Sequence, residues 1–362
     1  MLYNWLFSLS EHISFFNVFR YITVRTVLSS ITAFLFVFIT GNYFIKIFKK
    51  WNVIQKIRED GPKKHIIEKK NTPTMGGILI YLAVIISCVL WCKLDNNYVH
   101  IVLFSATWFA GVGFLDDYLK IKIGVKGLSV KSKLFLQLLG SFFIVLLFYK
   151  LNEATFKYIN YVNIPFIKHP FYLPAWIFFV FAILIIAGWS NAVNLTDGLD
   201  GLATGLSIFV FATFIVMAYV IGNLKTSQYL LIMYIPKSSE LTIVCGAFIG
   251  ALLGFLWYNA YPAQMFMGDL GSLMLGGVIG TLAILIKQEL LLFIVGIVFV
   301  VELFSVILQV TSYKITQKRI FKMAPIHHHF QLKGISEPKI IIRFWIIAII
   351  ILLLTLSTLK LR

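Results

Sequence analysis

The sequence predicts an all-α protein that crosses a membrane many times, and three observations predict it. The first is composition. Of 362 residues, 59% are hydrophobic and only 13% are charged, whereas ordinary soluble domains carry about a quarter charged residues. The second is length: apolar runs of about 17 to 25 residues recur along the chain, the span a helix needs to cross a hydrocarbon core of about 30 Å. The third is the placement of charge. The formal net charge is +17, yet the basic residues gather between apolar runs, which marks a basic membrane face and argues against nucleic-acid binding. A β-barrel would need alternating segments of about ten residues, and the sequence has none.

Ten spans are expected. Residues 1–22 are mildly amphipathic and hold Glu11, His12 and Arg20. No small-residue cleavage site follows a short apolar core, so no signal peptide is expected. The first span covers 23–48, and the loop 49–74 after it carries eight Lys or Arg. The second (75–92) and third (98–115) are joined by a turn through Lys93, Asp95, Asn96 and Asn97. A loop with Lys120, Lys122, Lys126, Lys131 and Lys133 leads to the fourth, 134–149. After Pro165, Pro170 and Pro174 come spans at 172–190, 201–221, 241–257, 270–286, 290–313 and 339–358.

Loops after the odd-numbered spans hold 18 Lys or Arg, against 10 on the other side, termini included. The positive-inside rule then puts the odd-numbered loops in the cytoplasm and both termini outside, which in a bacterial inner membrane is the periplasmic side. No loop is long enough for a soluble domain, so residues 1–362 read as one integral membrane domain. Cys88, Cys92 and Cys245 all lie in apolar spans. Cys88 and Cys92 share a helix face, but the partners of a zinc site are lacking, so all three read as packing residues.

Every loop with unusual chemistry falls on the cytoplasmic side. In Gly113-Phe-Leu-Asp116-Asp117-Tyr-Leu-Lys120, two adjacent carboxylates end an apolar run. Adjacent like charges repel unless a cation or proton answers them, and ionisable groups beside hydrocarbon are costly. A plain polar helix end is the simpler alternative. In Lys69-Lys70-Asn-Thr72-Pro-Thr-Met-Gly-Gly77, two ammonium groups beside hydroxyls and a flexible Gly pair suit a phosphate, although a capped helix start facing anionic lipid explains them too. The run Asn191-Ala-Val-Asn194-Leu-Thr-Asp197-Gly-Leu-Asp200-Gly201 has four amide or carboxylate residues and no base. Capping explains Asp200 and leaves Asp197 without a reason.

Asp269 stands between glycines in Asn259-Ala-Tyr-Pro-Ala-Gln-Met-Phe266-Met-Gly-Asp269-Leu-Gly-Ser272, where capping is again the rival. Three imidazoles, His327, His328 and His329, follow Pro325. Consecutive residues cannot all face one metal, so this run suits phosphate or sugar contact, or proton transfer. Hard carboxylate oxygens together with lysines suit Mg²⁺ shared with substrate phosphates. The residues themselves therefore point to Mg²⁺-assisted phosphoryl transfer at the membrane–cytoplasm boundary, with donor and acceptor open.

Thr72-Pro-Thr-Met-Gly-Gly77, Phe114-Leu-Asp-Asp117, Asn194-Leu-Thr-Asp-Gly-Leu-Asp-Gly201 and Met267-Gly-Asp-Leu-Gly-Ser272 resemble, in order, the signature blocks of the MraY family. These are the phospho-N-acetylmuramoyl-pentapeptide transferases of the polyprenyl-phosphate N-acetylhexosamine-1-phosphate transferase superfamily. The His327–His329 run separates this branch from relatives that transfer N-acetylglucosamine phosphate. The resemblance implies transfer of phospho-MurNAc-pentapeptide from UDP-MurNAc-pentapeptide to undecaprenyl phosphate. Lipid I and UMP form with Mg²⁺, in the bacterial inner membrane, in the first membrane step of peptidoglycan synthesis.

The same resemblance implies Asp116, Asp117 and Asp269 as catalytic acids, with Asp269 the Mg²⁺ ligand and the one-step or two-step question left open. Asn194, Asp197, Asp200, Asn259 and Phe266 would shape the nucleoside pocket. Lys69, Lys70 and Lys133 would hold phosphates, and His327, His328 and His329 would contact the donor. A homodimer is implied, and Glu302 and Gln309 would border a lipid groove. The chain departs from the family at Gln331, where Glu is common, and at Ile335, where Trp is usual. Loss of that Glu removes a negative charge beside the histidines, which favours a lower imidazole pKa. Two rivals stand beside this reading. One is the sister branch, which the histidines oppose. The other is a transporter of lipid-linked sugars, which would place polar residues at mid-membrane in broken helices; Glu302 is the feature that speaks for it.

Overall fold

The computed structural model describes residues 2–54, 72–123, 127–151, 158–167 and 169–360. The helices are α1 (Leu2–Ser8), α2 (Ile22–Lys50), α3 (Gly77–Trp91), α4 (Asn97–Ile123), α5 (Val130–Leu151), α6 (Ala175–Thr196) and α7 (Leu202–Ile221). They continue with α8 (Leu224–Tyr229), α9 (Leu241–Asn259), α10 (Gly268–Leu285), α11 (Glu289–Val295), α12 (Ile297–Thr316), α13 (Ile326–Gln331) and α14 (Glu337–Ser357). The only strands among the described residues are β1 (Tyr161–Val162) and β2 (Phe171–Tyr172), an antiparallel pair between α5 and α6 that sets Tyr161 opposite Tyr172.

Nine helices among the described residues are long and apolar enough to cross a membrane, and α3 is a shorter apolar helix. The expected second span is therefore only 15 residues of helix, about 22 Å. The helix starts only at Gly77: Met75 before it has φ +67°, Gly76 N–H and Gly77 N–H donate to the carbonyls of Phe266 and Met267, and Phe266 N–H donates to that of Pro73.

Three further expectations are corrected. The third span does not end before the aspartate pair: α4 runs on to Ile123, so Asp116 and Asp117 are helical. Tyr118 to Lys122 contains no breaker, and Lys120 answers Asp116 one turn on. Residues 191–196 are not a polar loop either, since α6 continues through Asn191 and Asn194 and ends at Thr196. The ninth span is two helices, α11 and α12, broken at Gly296. A Cβ there would run into the Trp189 ring, so the break goes with close approach to α6.

The centre of the bundle is α10, buried from Leu270 to Leu285. It packs against α4, α6 and α3. Its small residues admit neighbouring backbone: Gly276 lies against the Trp189 carbonyl and Gly271 against Gly77, the close contact that glycine permits between membrane helices. Helix α9 does the same for α2, α7 and α3. The outer helices α2, α5, α12 and α14 expose large apolar side chains such as Ile39, Phe135, Leu308 and Leu353, an apolar belt that lipid, not water, would cover.

Candidate active site

The starts of α10 and α3 and the last turns of α4 and α6 meet at one end of the bundle. Gly113 is what lets α4 in, because a Cβ there would collide with the backbone of Asp269. This contact brings residues some 150 positions apart side by side. Asp116 and Asp117 are 2% and 1% exposed, which rules out a solvated helix end.

Each carboxylate is held by a different set of donors. Asp116 Oδ1 accepts from Leu128 N–H at 2.6 Å, while its Oδ2 lies 2.8 Å from Lys120 Nζ and 3.4 Å from Lys133 Nζ. Asp117 Oδ2 accepts from Leu270 N–H at 3.0 Å, a carboxylate set against the first turn of α10, where backbone N–H groups favour negative charge. Asp117 Oδ1 stands 3.9 Å from Lys120 Nζ, beyond hydrogen-bond reach. Asp269 Oδ2 accepts from Lys120 at 2.7 Å and Lys133 at 2.6 Å, and its Oδ1 from Asn194 Nδ2 at 2.9 Å. Asn194 also bonds Ser272 Oγ at 2.9 Å and, through Oδ1, lies 3.3 Å from Lys133 Nζ. Lys133 is in the first turn of α5, which Ser129 Oγ caps at Ser132 N–H.

Three carboxylates thus face two ammonium groups. Beside them Gly268 has φ +77°, and a Cβ on it would come within 2.6 Å of Asp117 Oδ2 and 3.0 Å of Thr74 Oγ1. Thr74 Oγ1 is buried and without a hydrogen-bond partner among the described residues.

Of the residues expected from sequence, the structure brings together Asp116, Asp117, Asp269, Lys133 and Asn194. Lys69 and Lys70 lie outside the described residues. Asp197 ends α6, with its N–H on the Val193 and Asn194 carbonyls. Asp200 is buried and ties loops: its Oδ2 accepts from Ala263 N–H at 2.9 Å, and its N–H donates to Glu337 Oε1 at 2.9 Å. Asn259 Oδ1 accepts from Gly201 N–H and Thr204 Oγ1, and its Nδ2 donates to the Met265 carbonyl. Phe266 is half-buried, its backbone paired with Pro73 and Gly76.

The three histidines have different partners, although the His327 and His328 rings pack edge to face with centroids 4.1 Å apart. His327 is fully buried, its Nδ1 3.1 Å from Glu302 Oε2, and its ring lies where a Gly198 side chain would be. His328 Nδ1 pairs with Gln331 Oε1 at 2.8 Å, so the residue that departs from the family's Glu is itself a histidine partner. His329 Nδ1 accepts from Lys322 N–H at 3.1 Å. Desolvation, then the Lys333 and Lys322 charges, hold its imidazole below the ordinary value. Gln309 bonds the backbone of Ile320 and Phe321 and so ties the chain after α12.

Sequence reasoning passed over Lys120, Ser272 and Thr74 as site residues. Lys120 was legible: i+4 from Asp116 and i+3 from Asp117 on one helix face. Ser272 and Thr74 carried no signal beyond membership of their motifs.

Among the described residues, no three His, Cys, Asp or Glu side chains are spaced to ligate one metal ion. The donor chemistry nonetheless fits a hard divalent cation. It offers three carboxylates, an unpartnered Thr74 hydroxyl beside the Gly268 cradle, and ammonium groups in the position of cationic charge.

The fold and this site define a class: a polytopic membrane protein with a carboxylate–lysine centre at one end of its helix bundle. The family model described as glycosyl transferase family 4 matches residues 99–287. The phospho-N-acetylmuramoyl-pentapeptide-transferase signature 1 matches residues 69–80. Proteins called phospho-N-acetylmuramoyl-pentapeptide-transferase from Desulfatibacillum aliphaticivorans, Thermodesulfovibrio yellowstonii and Desulfosudis oleivorans are 52%, 51% and 50% identical to this chain, each over 100% of both sequences. The chain belongs to the phospho-N-acetylmuramoyl-pentapeptide transferase family.

Proposed function

We propose that the protein transfers phospho-MurNAc-pentapeptide from UDP-MurNAc-pentapeptide to undecaprenyl phosphate, giving lipid I and UMP. In this reading it spans the bacterial inner membrane ten times, with α3 as the shortest span, both termini periplasmic and the carboxylate–lysine centre cytoplasmic. The observation that carries the reading is the convergence of Asp116, Asp117 and Asp269 on Lys120 and Lys133. Full-length identity of about half with named transferases supports the donor and acceptor. The homodimer rests on family resemblance alone.

An oxygen of the lipid phosphate attacks the donor phosphorus that bears the sugar. The new P–O bond forms as the bond to UMP breaks, and UMP leaves with the electron pair. Asp117, whose Oδ1 lies beyond hydrogen-bond reach of Lys120, orients the attacking phosphate and takes its proton when it carries one. Asp116, held by Leu128 N–H and two ammonium groups, keeps Lys133 in place. Lys120 and Lys133 offset the charge that grows on the leaving phosphate. Lys69 and Lys70 would hold phosphates on the family resemblance alone. Asp269, with Asp117 and Thr74 beside it, would hold Mg²⁺, which would neutralise the diphosphate. Phe266 and the Asp197–Asp200 turn border the nucleoside, and the His327–His329 helix meets the sugar.

The test follows UMP release by the purified protein in detergent with undecaprenyl phosphate, with and without EDTA. UDP-MurNAc-pentapeptide is compared with UDP-N-acetylglucosamine. Metal-dependent release from the muramoyl donor alone is expected. Release only from the N-acetylglucosamine donor would move the chain to the sister branch.

A further inference from the structure

Lys120 has a position that phosphate binding does not explain. Its Nζ lies 2.8 Å from Asp116, 2.7 Å from Asp269 and 3.9 Å from Asp117. Of the described residues, it is the one paired with all three carboxylates. Lys133 reaches only two of them, Asp116 and Asp269, and its third neighbour is the neutral Asn194 Oδ1. An ammonium bonded to Asp116 and Asp269 and 3.9 Å from Asp117 sits where a divalent cation bound by Asp269 would be drawn, and two cations cannot share that point. The two lysines are about equally exposed, 17% and 16%, so what separates them is their partners: Lys120 grows from the last turns of α4 beside Gly127 and has only carboxylates around its ammonium. Lys133 is tied through Asn194 to Ser272 and α10, so it has a partner to stay with.

We propose that Lys120 is a resident stand-in for the divalent cation: its ammonium holds the three carboxylates together until the cation arrives, then swings out toward solvent. Two consequences follow. The carboxylate cluster stays assembled without the ion, so its repulsion does not open the bundle end. The displaced ammonium is released on the side from which an anionic substrate enters, so cation binding prepares the site for a diphosphate. The inference rests on the transferase reading for the cation itself, and adds that the cation competes with a side chain.

The experiment uses the full chain in detergent with Mn²⁺ alone as probe, read by loss of the free-ion electron paramagnetic resonance signal. Lys120→Met is expected to bind Mn²⁺ about tenfold more tightly than wild type, because a competing charge is gone. Lys133→Met is expected to change affinity less, and Asp269→Asn to abolish binding. The second readout needs no variant. An amine-acylating reagent, quantified by mass spectrometry, should modify Lys120 faster in Mg²⁺ than in EDTA, with Lys133 unchanged. Should Lys120→Met fail to fold, this labelling result decides. Asp269-dependent Mn²⁺ binding with unchanged Lys120→Met affinity, or equal Lys120 labelling with and without Mg²⁺, overturns the stand-in and leaves the cation site intact. No Mn²⁺ binding by folded wild-type protein removes the cation reading on which it rests.

Discussion

Asp116 and Asp117 are neighbours in sequence, but the helix turns about 100° between them, and this alone separates their roles. One carboxylate is clamped by the 127–129 segment and two lysines, and the other is turned to α10. Asp116→Asn, Asp117→Asn and Asp269→Asn are each expected to cut UMP release by at least about a hundredfold in protein that remains folded and membrane-inserted. A near wild-type rate in any one would exclude that residue from the chemistry. Gly268 makes a sharper case. Gly268→Ala puts a methyl within 2.6 Å of Asp117 Oδ2 on a backbone with φ +77°, a conformation that costs a side chain about 1 kcal/mol or more. Its expected result is a loss of turnover like that of Asp117→Asn, with little change in the amount of folded protein. Full activity would show that Asp117 tolerates displacement.

Helix ends place this chemistry, and they are what periodicity reads least well. Hydropathy stops α4 at Leu115 because charge begins at Asp116, yet the helix continues for two turns once those charges are paired. The same holds for α6, whose apolar run ends six residues before its hydrogen bonds do. At the other end of α10, Lys287 shows what an unmatched helix terminus requires. Its ammonium is buried over the Phe178 ring, bonded to the Ile159 carbonyl at 2.5 Å and 3.4 Å from Glu289. Burial pushes its pKa down to about 8, with Glu289 opposing the shift. The unfolded chain, near 10.5, therefore binds this proton more tightly than the folded one, and the penalty of burying the charge is relieved as pH rises from about 8 to 10.5. Thermal unfolding in detergent should show wild type gaining on Lys287→Met across that window. A constant difference would mean that Lys287 is not desolvated.

Across the whole molecule, the two ends of the bundle do different work. Far from the site, Arg25 of α2 is 1% exposed. It pairs with Glu240 just before α9 and donates to the Trp91 carbonyl at the end of α3, while Lys93 N–H donates to the same carboxylate. This knot fixes the far ends of three helices, two of which, α3 and α9, have Thr74 and Asn259 at their near ends. Arg25→Met leaves a buried carboxylate uncompensated and should cost about 3 kcal/mol of stability, read as a lower Tm. UMP release per folded molecule should be unchanged. If turnover falls with stability intact, the two ends are coupled more closely than packing through the helices implies.

Much of this was present in the one-dimensional pattern. Apolar runs long enough for helical spans, with no short alternating segments, determined an all-helical membrane bundle, because backbone amides in lipid must be paired within a helix or around a closed barrel. Loop charge set the expected side of the membrane, and costly acids at span ends marked where chemistry would lie. The tertiary structure decided which acids share a site. Asp116, Asp117 and Asp269 meet because Gly113 lets α4 touch the start of α10, while Asp200 and Asn259, equally conspicuous in sequence, are taken up in holding loops. It also decided that Lys120 stands at the centre of the cluster. A sequence lists which charges exist and, within one helix, which are neighbours, but Coulomb energy depends on the distances between them, and only helix packing brings Asp269 and Lys133 to the α4 pair.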